Sequence, residues 1–427
     1  MTESLSRAPL HPLLLACYPV LLLYSANLSE VLPIDIVDPL LWAAALSGLV
    51  LVGLAVLLRD WLRAGLVTSA LVVVWFFAGR VAPTFVSAGL GDAPQLAAWA
   101  LLVAAVTVVA WRAHDALPRV NLTLNVLAVV LVSLALGSII PYEIGRRTTG
   151  ALAGHEVDRS LPSAPRQPER DIFYLVFDRY GSDWSIRQRF SIDNDLNAWL
   201  AERGFHVVPG ARANYRASDL SIAATLNMRY LDDLTERLGR NTGDRTPVHA
   251  LLQEHTVGRF LQANGYHYIH VSPWYNATLD NAIADDVMRY DEATELAQVL
   301  HDTSLAQLTD RFLGQTSSEP PERERHRRFA EYQLRQVARA AAHPERVFVF
   351  AHILLPHPPY VYRRDGSDML LQQARTLPEE ELYAEQLAYT NARIRQTVEV
   401  LLDRPAAEQP IIVLQADEGP FLCRNVE

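Results

Sequence analysis

Long stretches without charged residues fill the first third of the chain and restrict what it can fold into. The stretch from Pro39 to Leu58 contains no charged side chain. A helix of about 20 apolar residues is long enough to cross the hydrocarbon core of a bilayer. Four further runs share this character: 12–28, 64–79 with a continuation toward Val86, 94–111 and 122–140. The sequence therefore predicts a membrane-embedded domain with five transmembrane helices at residues 1–145.

The first apolar run has two interpretations. It is short and follows Arg7, which is also the pattern of a secretory signal peptide. Because four more runs follow it, we favour a first membrane helix. Basic residues fall on one side of the predicted spans: Arg7, Arg59, Arg63, Arg112 and Arg119. Basic short loops usually face the cytoplasm, so these residues predict a cytoplasmic amino terminus. Because the number of predicted spans is odd, everything after Ile140 is then expected outside.

Charge and cysteine content argue against two classes of site. The formal net charge is −10 and no basic patch stands out, so we expect no nucleic-acid partner. The two cysteines are Cys17, in the first predicted span, and Cys423, near the end. With one cysteine outside the membrane region, we expect the exported part to have no internal disulfide and no thiolate zinc site.

A different pattern begins after a polar segment that contains three prolines, 148–170. Short apolar runs then alternate with helical patterns. The runs are DIFYLVFD (171–178), YHYIHV (266–271), VFVFAHI (347–353) and IIVLQAD (411–417). Continuously apolar strands that alternate with helices indicate a mostly parallel sheet flanked by helices on both faces. We therefore predict a linker at 146–170 and an α/β domain at 171–427.

Ligand-type side chains stand at the ends of three of these predicted strands. Asp178 ends the first, and His352 and His357 lie around the end of the third. Asp417 and Glu418 follow the fourth. In parallel α/β sheets the functional crevice lies beyond the carboxyl ends of the strands. Any one of these residues could simply end a strand, but their shared placement predicts a divalent metal site. The carboxylates favour manganese or magnesium, and the imidazoles make zinc an alternative.

The segment NYRASDLSIAATLNMRYL (214–231) supplies a candidate nucleophile. Its apolar residues follow a helical period from Ser218 onward, so Ser218 is expected at the start of a helix. One interpretation is an ordinary N-cap serine. The other is a nucleophile, because the positive end of a helix dipole favours both an ionised hydroxyl and a bound phosphate.

Five segments, in this order, resemble those of membrane-anchored sulfatase-like proteins of the alkaline phosphatase superfamily: DIFYLVFDRYG, NYRASDLSIAATLNMRYLDDL, GYHYIHVSPWYNATLDNAIADD, FVFAHILLPHPPYVYRRDG and IIVLQADEGP. The architecture is similar to that of lipoteichoic acid synthase type phosphoglycerol transferases, which carry five membrane helices before an extracellular catalytic domain. The resemblance covers about residues 170–420. It implies an alkaline phosphatase/sulfatase-like fold in a multi-pass protein of the bacterial cytoplasmic membrane, with an extracytoplasmic catalytic domain.

The resemblance also implies roles for single residues. Asp178 and Asp417 become metal ligands, and Ser218 becomes the nucleophile and a further metal contact. Glu418 stands where relatives have histidine, and its carboxylate can also ligate a hard cation.

Histidines nearby are implied to bind substrate. His357 matches a histidine that faces the charged group of the substrate, and His352 is a second candidate. His270 and Trp274 match a patterned segment without a role, and we favour packing for both. Relatives continue through further strands and helices after the position of Pro420, so we expect a catalytic domain truncated at its carboxyl terminus.

The activity that the resemblance implies is that of a metal-dependent enzyme. It would move a phosphoglycerol-type headgroup from a phospholipid to an envelope glycan or lipid acceptor through an intermediate on Ser218. Alternatives on the same fold are a phosphoethanolamine transferase, a phosphodiesterase and a sulfuric ester hydrolase. The segment ASDLSIA lacks the proline and arginine that formylglycine sulfatases need, which argues against the last. A catalytically inactive binding module is a further alternative, which Glu418 and the early end favour.

Overall fold

The computed structural model describes residues 7–29, 31–112, 114–152, 170–239, 242–290, 295–313 and 321–420. The chain divides into two compact units. The first unit comprises residues 1–152 and 293–318, and the second comprises 153–292 and 319–427. Most of the predicted linker and Cys423 lie outside the described residues.

Apolar helices build the first unit. They are α1 (His11–Ala26), α2 (Val37–Leu58), α3 (Trp61–Ser87), α4 (Asp92–Arg112) and α5 (Leu117–Leu152). Within the described residues, four segments are long and apolar enough to cross a membrane: Pro33–Leu58, Trp61–Ala82, Asp92–Arg112 and Leu117–Gly145. These four helices indicate a membrane protein.

Helix α1, the first predicted span, differs from the others. It has 16 residues, which is short of the about 20 that usually cross the hydrocarbon core. It packs against α2, α3 and α5, and it buries Val20 and Tyr24. The Oδ1 atom of Asn125 in α5 accepts hydrogen bonds from the backbone N–H groups of Leu10 and His11, at 3.0 and 2.8 Å, and so satisfies donors at the start of the helix. The five-span topology and its orientation stay predictions.

A parallel sheet forms the centre of the second unit. Its strands are β1 (Ile172–Phe177), β2 (His267–Val271), β3 (Asp286–Met288), β4 (Val347–Ile353) and β5 (Ile411–Ala416). The strand order is β3-β2-β4-β1-β5, and each neighbouring pair is parallel. The mostly parallel sheet predicted from the four apolar runs is therefore confirmed. The sequence prediction missed β3, because three residues are too few to produce an apolar run.

Helices connect the strands of this sheet. They are α6 (Asp183–Phe190), α7 (Leu196–Glu202), α8 (Ser218–Leu226), α9 (Asp232–Leu238), α10 (Thr246–Gln253), α11 (Thr256–Ala263), α14 (Pro321–Ala340), α15 (Leu371–Ala374) and α16 (Glu379–Leu402). Alternate residues of β1 enter different hydrophobic clusters. Phe173 and Leu175 join the cluster of α14 and α16, whereas Tyr174 and Val176 join that of α8 and α10. Because side chains of a strand alternate between its faces, β1 is buried on both faces, whereas Ile411 and Val413 of the edge strand β5 are exposed.

Two short helices from the second half of the chain belong to the first unit. They are α12 (Glu295–Asp302) and α13 (Leu305–Phe312). Leu296 of α12 is buried beside Val20 of α1. Arg311 of α13 forms an ion pair with Asp92 of α4 at 3.2 Å. The sequence prediction did not anticipate this insertion. An amphipathic pattern shows that one face of a helix is buried, but it does not show which part of the chain packs against that face.

A buried histidine in the second unit predicts acid-sensitive stability. His255 precedes α11, and its Nδ1 accepts a hydrogen bond from the Gly258 N–H at 2.9 Å. Burial lowers the pKa of His255 to about 3. The unfolded chain would bind a proton below about pH 6.5, where the folded chain does not, so stability is present above that pH and is lost as the pH falls.

We expect the substitution His255→Asn to reduce this pH dependence. Asparagine can still accept the Gly258 N–H as an N-cap residue, but it does not titrate. The loss of unfolding free energy between about pH 7 and pH 5 should shrink by about 2 kcal/mol, measured by urea unfolding of the detergent-solubilised chain followed by near-UV circular dichroism. Substitution of the exposed His206 by Asn is the control. An unchanged pH dependence in His255→Asn would contradict the buried neutral histidine.

Candidate functional site

Three ligand-type residues meet at the carboxyl ends of adjacent strands. Phe177, the last residue of β1, pairs with Ile353 of β4 and with Ala416 of β5. Asp178 and Asp417 are the next residues along β1 and β5, and His352 is the last but one of β4. One ligand atom from each of these three residues lies within 4.8 Å of the others. The structure thus brings together the predicted metal ligands Asp178 and Asp417 and adds His352.

Several buried polar atoms in this cluster have no hydrogen-bond partner in the part of the chain that the structure describes. His352 is fully buried, and its Nε2 lies 3.5 Å from Asp417 Oδ2 and 3.9 Å from Asp178 Oδ2. Among the described residues, four buried atoms here are without a partner: Asp178 Oδ1, His352 Nε2, Asp417 Oδ2 and Glu418 Oε2. Each such atom costs about 1–3 kcal/mol. A divalent cation would satisfy them, so the donor set fits a metal site.

The charges of the cluster fit a cation as well. Burial and the nearby charges of Asp417 and Glu418 raise the pKa of Asp178 well above its usual range. Burial and the charge of Asp417 raise the pKa of Glu418 to about 7, although Arg179 Nε lies 3.3 Å from its Oε1. A positive ion among these carboxylates would relieve their mutual repulsion.

Asp417 behaves differently from its two acidic neighbours. Burial alone would raise its pKa, but His352, a hydrogen bond from Ser218 and the backbone N–H of Arg179 hold that pKa below its usual range. The Arg179 N–H donates to Asp417 Oδ1 at 3.1 Å. Asp417 is therefore the carboxylate of the cluster that is best prepared to be ionised.

His352 is held by hydrogen bonds on its other side. Its Nδ1 lies 2.9 Å from the Thr278 hydroxyl, and Gln333 donates to its backbone carbonyl at 2.7 Å. Metal-ligating histidines usually have one ring nitrogen fixed in this way, while the other faces the ion. The resemblance implied a substrate contact for His352. Its complete burial and its position between two carboxylates favour ligation instead.

Ser218 lies beside this cluster at the start of α8. The N-cap of α8 is Ala217, so Ser218 is the first helical residue rather than the cap. Its hydroxyl lies close enough to Asp417 to lower the pKa of that carboxyl. One turn later, the Ser221 hydroxyl donates to the backbone carbonyl of Asp417 at 2.6 Å. The sequence analysis missed Ser221, although the shared helix face of Ser218 and Ser221 was a signal for it.

A cavity of about 300 Å³ opens next to Ser218. Its walls include both acidic and basic side chains: Asp178, Glu418, Arg179 and Arg216. Trp274 also lines it, while its indole N–H donates to His326 at 3.3 Å. The sequence analysis favoured packing for Trp274 and did not select the two arginines, because loop residues follow no periodic pattern. His270 is buried, where its Nε2 lies 2.8 Å from the Thr278 carbonyl.

His357 lies on the same cavity. Its Nδ1 pairs with the Pro358 carbonyl, and its Nε2 is 4.0 Å from Asp178 Oδ2. Burial and the charge of Arg179 lower its pKa to about 4. His357 is therefore neutral near neutral pH, with Nε2 available as an acceptor.

No protein-family model, curated protein or solved structure matches this chain. The resemblance to sulfatase-like proteins therefore stays a prediction, and the candidate site rests on its own geometry.

The hydrogen bond between His352 Nδ1 and the Thr278 hydroxyl predicts a positioning role for Thr278. We expect Thr278→Val, which keeps the shape of the side chain, to weaken binding of a divalent metal by about tenfold or more, because His352 loses the partner that orients its ring. Manganese titration of the detergent-solubilised chain would measure the dissociation constant. Thr376→Val removes a similar hydroxyl bond on the surface and is the control. Equal affinities in both variants would contradict this role.

Proposed function

We propose that the second unit is a metal-dependent enzyme that transfers or hydrolyses phosphate esters through Ser218. The observation that carries this proposal is the set of unpaired buried atoms on Asp178, His352 and Asp417 next to the Ser218 hydroxyl. The carboxylates favour manganese or magnesium in this site, and the imidazole of His352 makes zinc an alternative. Glu418 Oε2 is a fourth candidate ligand.

A cation held by these residues would stabilise the negative charge of the phosphoryl group and of the attacking oxygen. The protein contributes further positive charge of its own. Ser218 lies at the positive end of the α8 dipole, which favours a bound phosphate. Arg179 and Arg216 line the cavity, and guanidinium groups match the geometry of phosphoryl oxygens.

The reaction follows from the position of the hydroxyl. Ser218 lies beside the Asp417 carboxylate, which can accept the hydroxyl proton. Ser218 Oγ forms a bond to phosphorus as the bond from phosphorus to the leaving alcohol breaks, and the alcohol oxygen takes up the proton that the Ser218 hydroxyl has lost. An acceptor hydroxyl or water then attacks the phosphoseryl ester and releases Ser218. Neutral His357 is suited to accept a proton or to hydrogen-bond the phosphate.

The proposed substrate is a phospholipid with a phosphoglycerol-type headgroup. The same chain carries four helices long enough to cross a membrane, so its substrate would be present where the enzyme is anchored. We further propose an alkaline phosphatase/sulfatase-like fold, an extracytoplasmic second unit in a bacterial cytoplasmic membrane, and an envelope glycan or lipid as acceptor. The order of motifs along the sequence supports these assignments.

We expect Ser218→Ala to lower turnover by at least about a thousandfold, because no other group can form the covalent ester. The assay would use a panel of headgroup-labelled phospholipids and a soluble phosphodiester with manganese present. Ser367→Ala, an exposed serine outside the site, is the matched control. Undiminished turnover by Ser218→Ala would remove this residue from the mechanism.

Intact-mass measurement after incubation with phospholipid and manganese would test the intermediate directly. The wild-type chain should gain the mass of a phosphorylated headgroup, and Ser218→Ala should not. A wild-type chain that binds manganese but shows neither turnover nor an adduct would contradict the enzyme and favour a binding module.

A further inference from the structure

We propose a second metal site, formed by His267, His343 and Asp286, at the opposite edge of the sheet. His267 is the first residue of β2, Asp286 is the first residue of β3, and His343 lies in the turn between α14 and β4. One ligand atom from each lies within 4.8 Å of the others. Because Ser218 and its neighbours lie at the carboxyl ends of the strands, this cluster at the amino ends is a separate site.

The two imidazoles pack against each other, and one of them contacts the carboxylate. Their rings stack with centroids 4.6 Å apart and planes inclined by 23°. His267 Nε2 lies 2.7 Å from Asp286 Oδ2. These three side chains come from three separate segments of the chain, yet they converge on one point.

Glu345 lies beside the Nδ1 atom of each ring. Its carboxylate lies 3.7 Å from His267 Nδ1, and at His343 Nδ1 both its backbone carbonyl, at 3.4 Å, and its backbone nitrogen, at 3.2 Å, are within reach. In the tautomer that carries its proton on Nδ1, the His343 ring donates to that carbonyl, and each ring keeps a lone pair on Nε2 for the ion. Metal-binding histidines commonly have this arrangement, with a carboxylate or a backbone carbonyl on the nitrogen that does not bind the ion.

The donor set selects the type of metal. Two imidazoles and one carboxylate suit zinc, whereas the carboxylate-rich cluster beside Ser218 suits manganese or magnesium. His267 and His343 are half-buried and Asp286 is exposed, so water can complete a tetrahedral coordination and zinc can enter from solution. A bound ion would tie the short edge strand β3 to β2 and to the turn before β4.

Zinc binding to the full detergent-solubilised chain tests this site. After equilibrium dialysis against zinc chloride and elemental analysis, His343→Ala and His267→Gln should each bind about one equivalent less than the wild-type chain. Glu345→Gln should weaken zinc binding at this site by about tenfold or more, because His267 loses its carboxylate partner. His206→Ala, which changes an exposed histidine elsewhere, should bind as the wild type does.

Thermal unfolding distinguishes loss of the site from loss of the fold. Zinc should raise the midpoint of wild-type unfolding, and His343→Ala should lose this shift while it keeps the wild-type midpoint in the presence of chelator. Equal zinc stoichiometry in the wild-type chain and in both histidine variants would overturn the proposal. An equal loss in His206→Ala would also overturn it, because the binding would then not depend on this cluster.

Discussion

The burial of several ionisable groups at one edge of the sheet is the constraint on which the second unit depends. Both faces of β1 pack against hydrophobic clusters, so polar side chains are left to the strand ends. The pairing of β1 with β4 and β5 then brings Asp178, His352 and Asp417 together. In this environment burial and the repulsion between carboxylates together raise the pKa of Asp178. A cation is the simplest partner that removes it.

Hydrogen bonds from the surrounding residues hold the side chains of the cluster in place. Ser221 ties α8 to the carbonyl of Asp417, and this contact keeps Ser218 next to the same residue. Thr278 fixes the ring of His352 from the other side. The hydroxyl, the candidate ligands and the cavity are thereby held in one arrangement by the packing of the sheet and of α8. Such preorganisation is what a covalent phosphoryl transfer requires, because its catalysis depends mainly on positioning and electrostatic stabilisation.

Much of this arrangement follows from local sequence, and some of it does not. Strands β1, β2 and β4 were predictable because both of their faces are buried, and β5 was predictable as an apolar run although Ile411 and Val413 are exposed. Asp178 and Asp417 were predictable because they follow β1 and β5. The sequence did not predict toward which face of the sheet the His352 side chain points. Every residue of β4 is buried, so no alternation of polar and apolar residues distinguishes its two faces. Arg216 and Trp274 lie outside regular elements, where no period marks them. Helices α12 and α13 have ordinary amphipathic patterns, so their place in the first unit depends on tertiary packing alone.

The central claim is that Asp178, His352 and Asp417 bind a divalent cation beside Ser218. X-ray diffraction from crystals grown with manganese, measured at the manganese absorption edge, tests it most directly. We expect an anomalous peak within bonding distance of a carboxylate oxygen of Asp178 and of Asp417 and of His352 Nε2, with Ser218 next to it. Well-ordered crystals with no anomalous peak among these side chains would contradict it.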